Sequence, residues 1–530
     1  MPVAVSFPGV YVEELPSGVR TITGVATSIT AFVGRAATGT DEPTTINSFG
    51  DFERRFGSLD PAYPMSYSVR DFFQNGGAQA VIVRLYKKSA GTNDYAKIAL
   101  TNLDLVAASR GTSANALRVR IDDKVSADIA TRYGLASADL FNLTVRSSTT
   151  GAMETFVNVT MKESPRRIDR VLANESALLR VATSPLGTSV PPKHADTPAA
   201  GKTIWTDDNT STPVKAADEA KDSAPLDQAA YLGSDAAKTG IYALRKTDLF
   251  NLLCIPPDTR EGDTDATVYS TALAFCVQRR AMLIVDPPAA WKSANDIVTG
   301  NNAALTALGL NGEAARNAAL FFPRVTASDP RRDGQLDTFA PSGAIAGLMA
   351  RTDTSRGVWK APAGVDAAIA GVRGLAVGLT NEENGQLNPL GVNCLRVFPI
   401  IGSVAWGART LRGADLLADE YKYIPVRRTA LYIEESLYRG LQWVVFEPND
   451  EPLWAQIRLN AGAFMHNLFR QGAFQGSSPR DAYFVKCDKE STTQNDINLG
   501  IVNVVIGFAP LKPAEFVIIK LQQMAGQIDV

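Results

Sequence analysis

Leu249-Phe-Asn-Leu-Leu-Cys-Ile255 is an apolar run closed by Pro256 and Pro257. Two runs of the same kind follow it, Ala281-Met-Leu-Ile-Val285 ahead of Pro287 and Ala319-Leu-Phe-Phe322 ahead of Pro323. Each reads as a strand, and the intervals between them are long enough to hold helices, as parallel βαβ units require. Ala344 to Met349 opens a further helix, and residues 351–390 are irregular and rich in Gly and Asn. Residues 236–390 are therefore expected to form an α/β domain.

Working outward toward the N-terminus, residues 21–95 alternate strand with helix. Ile29-Thr-Ala-Phe-Val33 reads as a buried strand ended by Gly34. Ser48 is placed to cap a helix through Phe49, Phe52 and Phe56 that stops at Gly57. A second helix is expected over Met65–Phe73, ended by Asn75-Gly-Gly77, before a central strand at Ala80-Val-Ile-Val-Arg-Leu85. Ahead of this, residues 1–20 form an extended arm. Val3, Val5 and Phe7 alternate with small or polar residues, and Pro2, Pro8 and Pro16 forbid a helix of any length.

Residues 96–183 carry short alternating pieces, among them Ala116-Leu-Arg-Val-Arg-Ile121, Phe141-Asn-Leu-Thr-Val-Arg146 and Thr155-Phe-Val-Asn-Val-Thr160, which predict a β-rich unit. Residues 184–235 are rich in Ala, Pro, Ser, Thr, Asp and Lys, a composition that reads as a low-complexity linker or mobile loop. Beyond residue 390, Trp454, Ile457, Ala461, Phe464 and Leu468 recur at helical spacing. Val502, Val504, Ile506 and Phe508 give one strand face, and Phe516-Val-Ile-Ile-Lys-Leu521 is a second strand-like run.

The 530 residues suggest roughly three to four domains. Lys and Arg number 53 against 55 acidic residues, a net charge of -2, so neither nucleic acid nor an anionic lipid surface is the expected partner. The N-terminal residues lack the basic and apolar regions of a secretory signal, and no apolar run suggests a membrane span. Cys254, Cys276, Cys394 and Cys487 form no CxxC pair and fit reduced, buried thiols of a protein made in the cytoplasm.

The residues point to no catalytic, cofactor or metal site. Only His194 and His466 could serve a Ser-His-Asp triad, one in the Pro/Ala-rich segment and one on a helix beside Asn467, and no GxSxG elbow occurs. Gly201-Lys-Thr203 ends like a phosphate loop but follows no apolar strand, and two histidines without clustered cysteines offer little to a transition metal. Glu434-Glu435 and Asp122-Asp123 read as solvated faces or turns.

Several segments in order along the chain resemble contractile tail sheath proteins of phages and contractile injection systems. They are Phe32-Val-Gly-Arg-Ala-Ala-Thr-Gly39, Ser48-Phe-Gly-Asp-Phe-Glu-Arg-Arg-Phe-Gly57 and Phe72-Phe-Gln-Asn-Gly-Gly77 leading into Val81-Ile-Val-Arg84. Toward the other end stand Trp406-Gly-Ala-Arg-Thr410, Tyr423-Ile-Pro-Val-Arg-Arg428, Phe446-Glu-Pro-Asn449 and Tyr483-Phe-Val-Lys-Cys-Asp488. The resemblance is clearest over residues 1–87 and 390–530.

It implies an α+β and α/β multidomain fold in which 21–95 and 391–510 together build one sheath domain. The β-rich unit and a subtilisin-like α/β domain are inserted between them. It implies a non-enzymatic function without cofactors: subunits stack as hexameric rings around an inner tube, anchored on a baseplate and closed by terminal cap proteins, and contraction drives the tube through a target envelope. It places assembly in the bacterial cytoplasm, on a phage tail or phage-like particle that in some systems is released. The alternative is another self-assembling tail or baseplate component, against which the length of the chain counts.

Under this resemblance the terminal segments, 1–20 and 511–530, become connector arms. An unpaired strand with an apolar face is an aggregation hazard in a monomer and a connector where a neighbour offers a sheet edge. Val3, Val5, Phe7, Val10 and Val12 would dock one arm, and Phe516, Val517, Ile518 and Ile519 the other. On the 450–470 helix, Leu459, Ala463, His466 and Arg470 share the side opposite Ile457. That side is either a solvated face or, through His466 and Arg470, a contact to the inner tube.

Overall fold

The computed structural model describes residues 20–182 and 186–520. Its centre is an eight-stranded sheet with the spatial order Gly402–Ala405, Val392–Phe398, Ala318–Phe322, Met282–Val285, Leu252–Cys254, Thr30–Gly34, Ala80–Arg84 and Thr44–Ile46. The six inner strands pair in parallel, and the two edge strands are antiparallel to their neighbours. Successive residues bury on opposite faces. Ala31, Val33, Leu253, Leu283, Val285 and Leu320 pack with Val268, Ala272 and Phe275 of the Ala266–Gln278 helix. Phe32, Ile82, Cys254, Ile284 and Phe321 pack with the helices Phe49–Phe56, Met65–Gln74 and Ser342–Arg356. Strands covered on both sides have no polar face to show, which is why these runs are apolar throughout.

Local signals behave as their chemistry dictates. The Ser48 hydroxyl accepts from the Asp51 amide at 3.1 Å and starts the Phe49–Phe56 helix. Helices Met65–Gln74 and Ser342–Arg356 cross so closely that a Cβ on Gly347 would lie 2.3 Å from the Phe72 carbonyl oxygen. Only glycine fits there.

The β-rich unit has its own core. Leu117–Asp122, Leu140–Ser147 and Met153–Thr160 form an antiparallel sheet that shares one core with a second sheet, Tyr95–Leu100, Leu103–Arg110 and Leu179–Val181, through Val119, Leu143, Val145 and Leu105, with Leu172 of the Ile168–Glu175 helix. A C-terminal unit contains the helices Ile424–Gly440 and Glu451–Arg470 and the antiparallel hairpin Tyr483–Lys486/Val505–Phe508. Arg428 ties it to the body, donating to Asp353 at 2.9 and 2.6 Å and to the Thr27 carbonyl, with both side chains of the ion pair buried.

Four expectations need correction. Residues 21–95 were expected to pair with 391–510 apart from the α/β region, yet Thr30–Gly34 lies beside Leu252–Cys254 in one continuous sheet. The boundary expected at 390/391 also falls inside that sheet, because Val392–Phe398 pairs with Ala318–Phe322. Strand order is set by long-range pairing that no local pattern encodes. The 184–235 segment is not a free linker over its described residues. Thr212–Pro213 adds to the Leu117–Asp122 strand, and Arg118 and Arg120 hold the carbonyls of Ala195, Thr210 and Ser211. Its polar groups are satisfied by side chain to backbone bonds, which composition does not reveal. Finally, 516–520 is exposed and forms no strand within its own chain.

Candidate assembly surface

The described residues begin, at Arg20, against the C-terminal unit. Asp450 caps the Glu451–Arg470 helix by accepting from the Leu453 amide, and Ala461, Phe464, Met465 and Leu468 on one face pack with Ile22, Ile433 and Phe474. Just outside this core, the Arg20 amide donates to Asn460 Oδ1 at 3.0 Å and its guanidinium lies 4.6 Å from the Trp443 ring centroid. Arg20 is the first of the described residues. Val3, Val5, Phe7, Val10 and Val12 lie outside the described residues.

The hairpin lies against the same core through Tyr483, Val485, Ile506 and Phe508, while Phe484 and Val505 on its other face are about half exposed. Among the described residues no third strand joins it. From Phe508 the chain runs on through Pro510, which bridges to Phe474, and reaches Glu515. The next four side chains, Phe516, Val517, Ile518 and Ile519, are 75%, 82%, 81% and 78% exposed. Burial of such side chains is ordinarily worth ~1.5–3 kcal/mol each, so four together in solvent make a costly exposed apolar run.

Glu515 is fixed where the arm leaves the body. Its carboxylate accepts from Arg409 Nε at 2.8 Å and Nη2 at 2.6 Å, and from the Tyr423 hydroxyl at 3.2 Å. Arg409 is completely buried and also donates through Nη1 to Asp415 and to the Asn388 carbonyl. Burial alone would lower the Arg409 pKa, but the hydrogen bonds and charge of Glu515, with Asp415, outweigh it and hold the pKa above the ordinary value. Asn393 takes both backbone groups of Arg409, accepting from its amide at 2.6 Å and donating to its carbonyl at 2.8 Å. Residues 511–514 border a groove of about 890 Å³ that is also lined by Trp359, Lys360 and Trp406.

His466 and Arg470 stand exposed on the solvent side of their helix with Leu459 and Ala463, so the four share one accessible face. Phe446 is fully exposed at a positive φ of 72°, on a loop that Asn449 fastens by accepting from Trp454 Nε1 and donating to the Ile501 carbonyl. The Arg409–Glu515 pair was not singled out from the sequence. Its visible traces are a lone carboxylate between Pro513 and an apolar run, and Arg409 within the Trp406–Thr410 segment.

A buried acid–hydroxyl pair also escaped the sequence reading. Ser342 donates through Oγ and its amide to Asp286 at 2.7 and 2.8 Å, anchoring the start of the Ser342–Arg356 helix to the end of the Met282–Val285 strand. Burial raises the Asp286 pKa to about 6, against the lowering effect of the Ser342 bonds. Neither histidine approaches the pair: His194 bonds to Ile121 and Thr212, and His466 lies beside Phe469 and Tyr483. All four cysteines are buried and free. Among the described residues no group of His, Cys, Asp or Glu is arranged to hold a metal ion, and no helix is long and apolar enough to cross a membrane.

Two family models match the chain. The phage tail sheath protein central domain matches residues 232–411, and the phage tail sheath C-terminal domain matches residues 418–523. The tail sheath protein of Vibrio phage KVP40 (isolate Vibrio parahaemolyticus/Japan/Matsuzaki/1991) is 27% identical over 189 residues, 36% of this chain and 27% of that protein. The chain thus spans about a quarter of the length of the curated relative it matches. The contracted helical sheath of the anti-feeding prophage superposes with a TM-score of 0.55 at 23% identity, covering 98% of this chain and 100% of that one. The contracted PVC sheath, from an extracellular contractile injection system, gives 0.57 at 21% identity over 98% of both chains. The sheath tail protein Lin1278 of Listeria innocua gives 0.58 at 13% identity over 93% and 96%. With both family models together spanning more than half of its residues, the chain belongs to the phage tail sheath protein family.

Proposed function

We propose that this protein is the structural subunit of a contractile tail sheath, stacking as hexameric rings around an inner tube and contracting to drive that tube through a target envelope. Its partners are further copies of itself, the tube protein, the baseplate and the terminal cap proteins. It works without catalysis or cofactor. The observation that carries the reading is the run Phe516–Ile519, apolar and exposed, following a unit whose hairpin has only two strands among the described residues. One copy's arms would complete the hairpin sheets of its neighbours, because strand addition supplies backbone hydrogen bonds and pockets for alternate side chains.

The magnitudes suit a mesh. Four such side chains at ~1.5–3 kcal/mol give on the order of 6–12 kcal/mol per arm. Association costs ~4–15 kcal/mol, so one arm is marginal and several are stable. Contraction then needs two packings of rigid bodies about flexible joints, with energy stored at assembly. The stretch Ala509-Pro-Leu-Lys-Pro513 suits such a joint. In this reading the β-rich unit between Ala80–Arg84 and Leu252–Cys254 is an outward-facing insertion and the doubly covered sheet is the subtilisin-like domain. The Leu459–Arg470 face meets the tube.

The test is truncation of the full-length protein before Val19 or after Glu515. The expected result under negative stain is loss of long striated cylinders while the truncated chains remain folded monomers with the parental melting temperature. Cylinders of parental length from both truncations would overturn the reading.

A further inference from the structure

We propose that Glu515 and Arg409 form a brace that carries tension on the C-terminal arm directly into the eight-stranded sheet, bypassing the hairpin from which the arm emerges. The proposal rests on the assembly reading above, in which neighbours pull on Phe516–Ile519.

The strap before the arm is held at two ends. At its start the Ala509 amide donates to the Ala482 carbonyl, the Gln475 amide donates to the Ala509 carbonyl, and Pro510 bridges to Phe474. At its end Glu515 is gripped by Arg409 and Tyr423. Between them, Leu511, Lys512, Pro513 and Ala514 border the groove. Were the far end free, a pull on Phe516 would arrive at Pro510 and peel Val505–Phe508 from Tyr483–Lys486. That hairpin has only the four residue pairs Tyr483/Phe508 to Lys486/Val505, and peeling would open them one at a time.

The brace sends the pull elsewhere. Two parallel charge-assisted hydrogen bonds join Glu515 to a guanidinium that cannot lose its charge and that is buried from competing water. The amide and carbonyl of Arg409 are both held by the Asn393 side chain, and Asn393 Nδ2 reaches on to the Leu320 carbonyl at 3.0 Å. Asn393 and Leu320 sit in the adjacent strands Val392–Phe398 and Ala318–Phe322, so the path from the arm ends inside the parallel sheet after two side chains. Arg409 is thus a positioning residue for the arm, and this accounts for an arginine with no exposure in a segment that does no chemistry.

The test is a pulling experiment on the full-length monomer, held between the C-terminus and a handle at Val277→Cys, the four native cysteines being buried. The parent is expected to resist until the body itself yields. Glu515→Gln keeps the shape but removes the charge, and is expected to add an early low-force step whose length matches release of the strap and of Val505–Phe508, with the melting temperature of the unpulled protein unchanged within about 2 °C. Absence of the early step overturns the proposal. So does an early step accompanied by a large fall in melting temperature, which would assign Glu515 to the fold alone. Since the measurement is made on monomers, its outcome is independent of whether cylinders form, and failure of the brace is separable from failure of the assembly reading.

Discussion

His194 makes three hydrogen bonds, two to Ile121 and one to Thr212, and has no catalytic neighbour. Its Nδ1 accepts from the Ile121 amide at 2.9 Å, its own amide donates to the Ile121 carbonyl, and Nε2 meets the Thr212 hydroxyl at 2.9 Å. Burial lowers its pKa from 6.5; the charges of Arg120 and Arg118 add to the effect. The unfolded imidazole therefore takes a proton near pH 6.5 while the folded one resists, so the unfolded state binds more protons just below that pH. The stabilisation is complete above about pH 6.5 and is lost as pH falls through the window beneath it. Amide exchange in the Leu117–Asp122 strand and at Thr212, corrected for intrinsic rate, should show weaker protection at pH 5 than at pH 7.5. His194→Gln should flatten the difference, and equal protection at both pH values in the parent would refute the assignment. Single residues were legible in the sequence where one local bond decides them, as with Ser48. They were illegible where the partner lies far along the chain, as with Arg409 and Glu515 or Asp286 and Ser342.

Elements were read best where burial is complete. Met282–Val285 and Ala318–Phe322 are apolar at every position because helices cover both faces, and their flanking prolines mark the ends. The Glu451–Arg470 helix was equally plain from its buried stripe, but periodicity assigns the opposite stripe only to the outside. Whether Leu459, Ala463, His466 and Arg470 face solvent or the tube is a matter of what lies beyond one chain. Arg470→Glu places a carboxylate at the helix C-terminus, a position that disfavours negative charge by only ~0.3–1 kcal/mol, so folding should survive. Co-expression with the tube protein should then give sheaths lacking a tube, counted by electron microscopy. Filled sheaths at the parental frequency would show the face to be merely solvated. The C-terminal run Phe516–Ile519 has strand composition without a strand, since no strand among the described residues pairs with it.

At the scale of the whole molecule, composition and segment order pointed to several units and to the family, while the joining of those units escaped both. Thr30–Gly34 occupies the interior of the sheet, with Ala80–Arg84 on one side and Leu252–Cys254 on the other. This interior place has a consequence for how the molecule is made. A ribosome adding ~5–20 residues per second needs on the order of ten to forty seconds to pass from the first of these strands to the third. For that interval one edge of the nascent strand stands open, and the β-rich unit, complete in its own core, can fold while it waits. Nascent chains stalled near residue 240 should therefore be protease-sensitive over 20–84 yet resistant over 95–181, and chains stalled beyond residue 450 should resist over both. Early resistance over 20–84 would contradict this order of events. In the proposed assembly, the hairpin that would accept a neighbour's strand is translated after every strand of the central sheet, so a copy would become receptive to others only when its interior has closed.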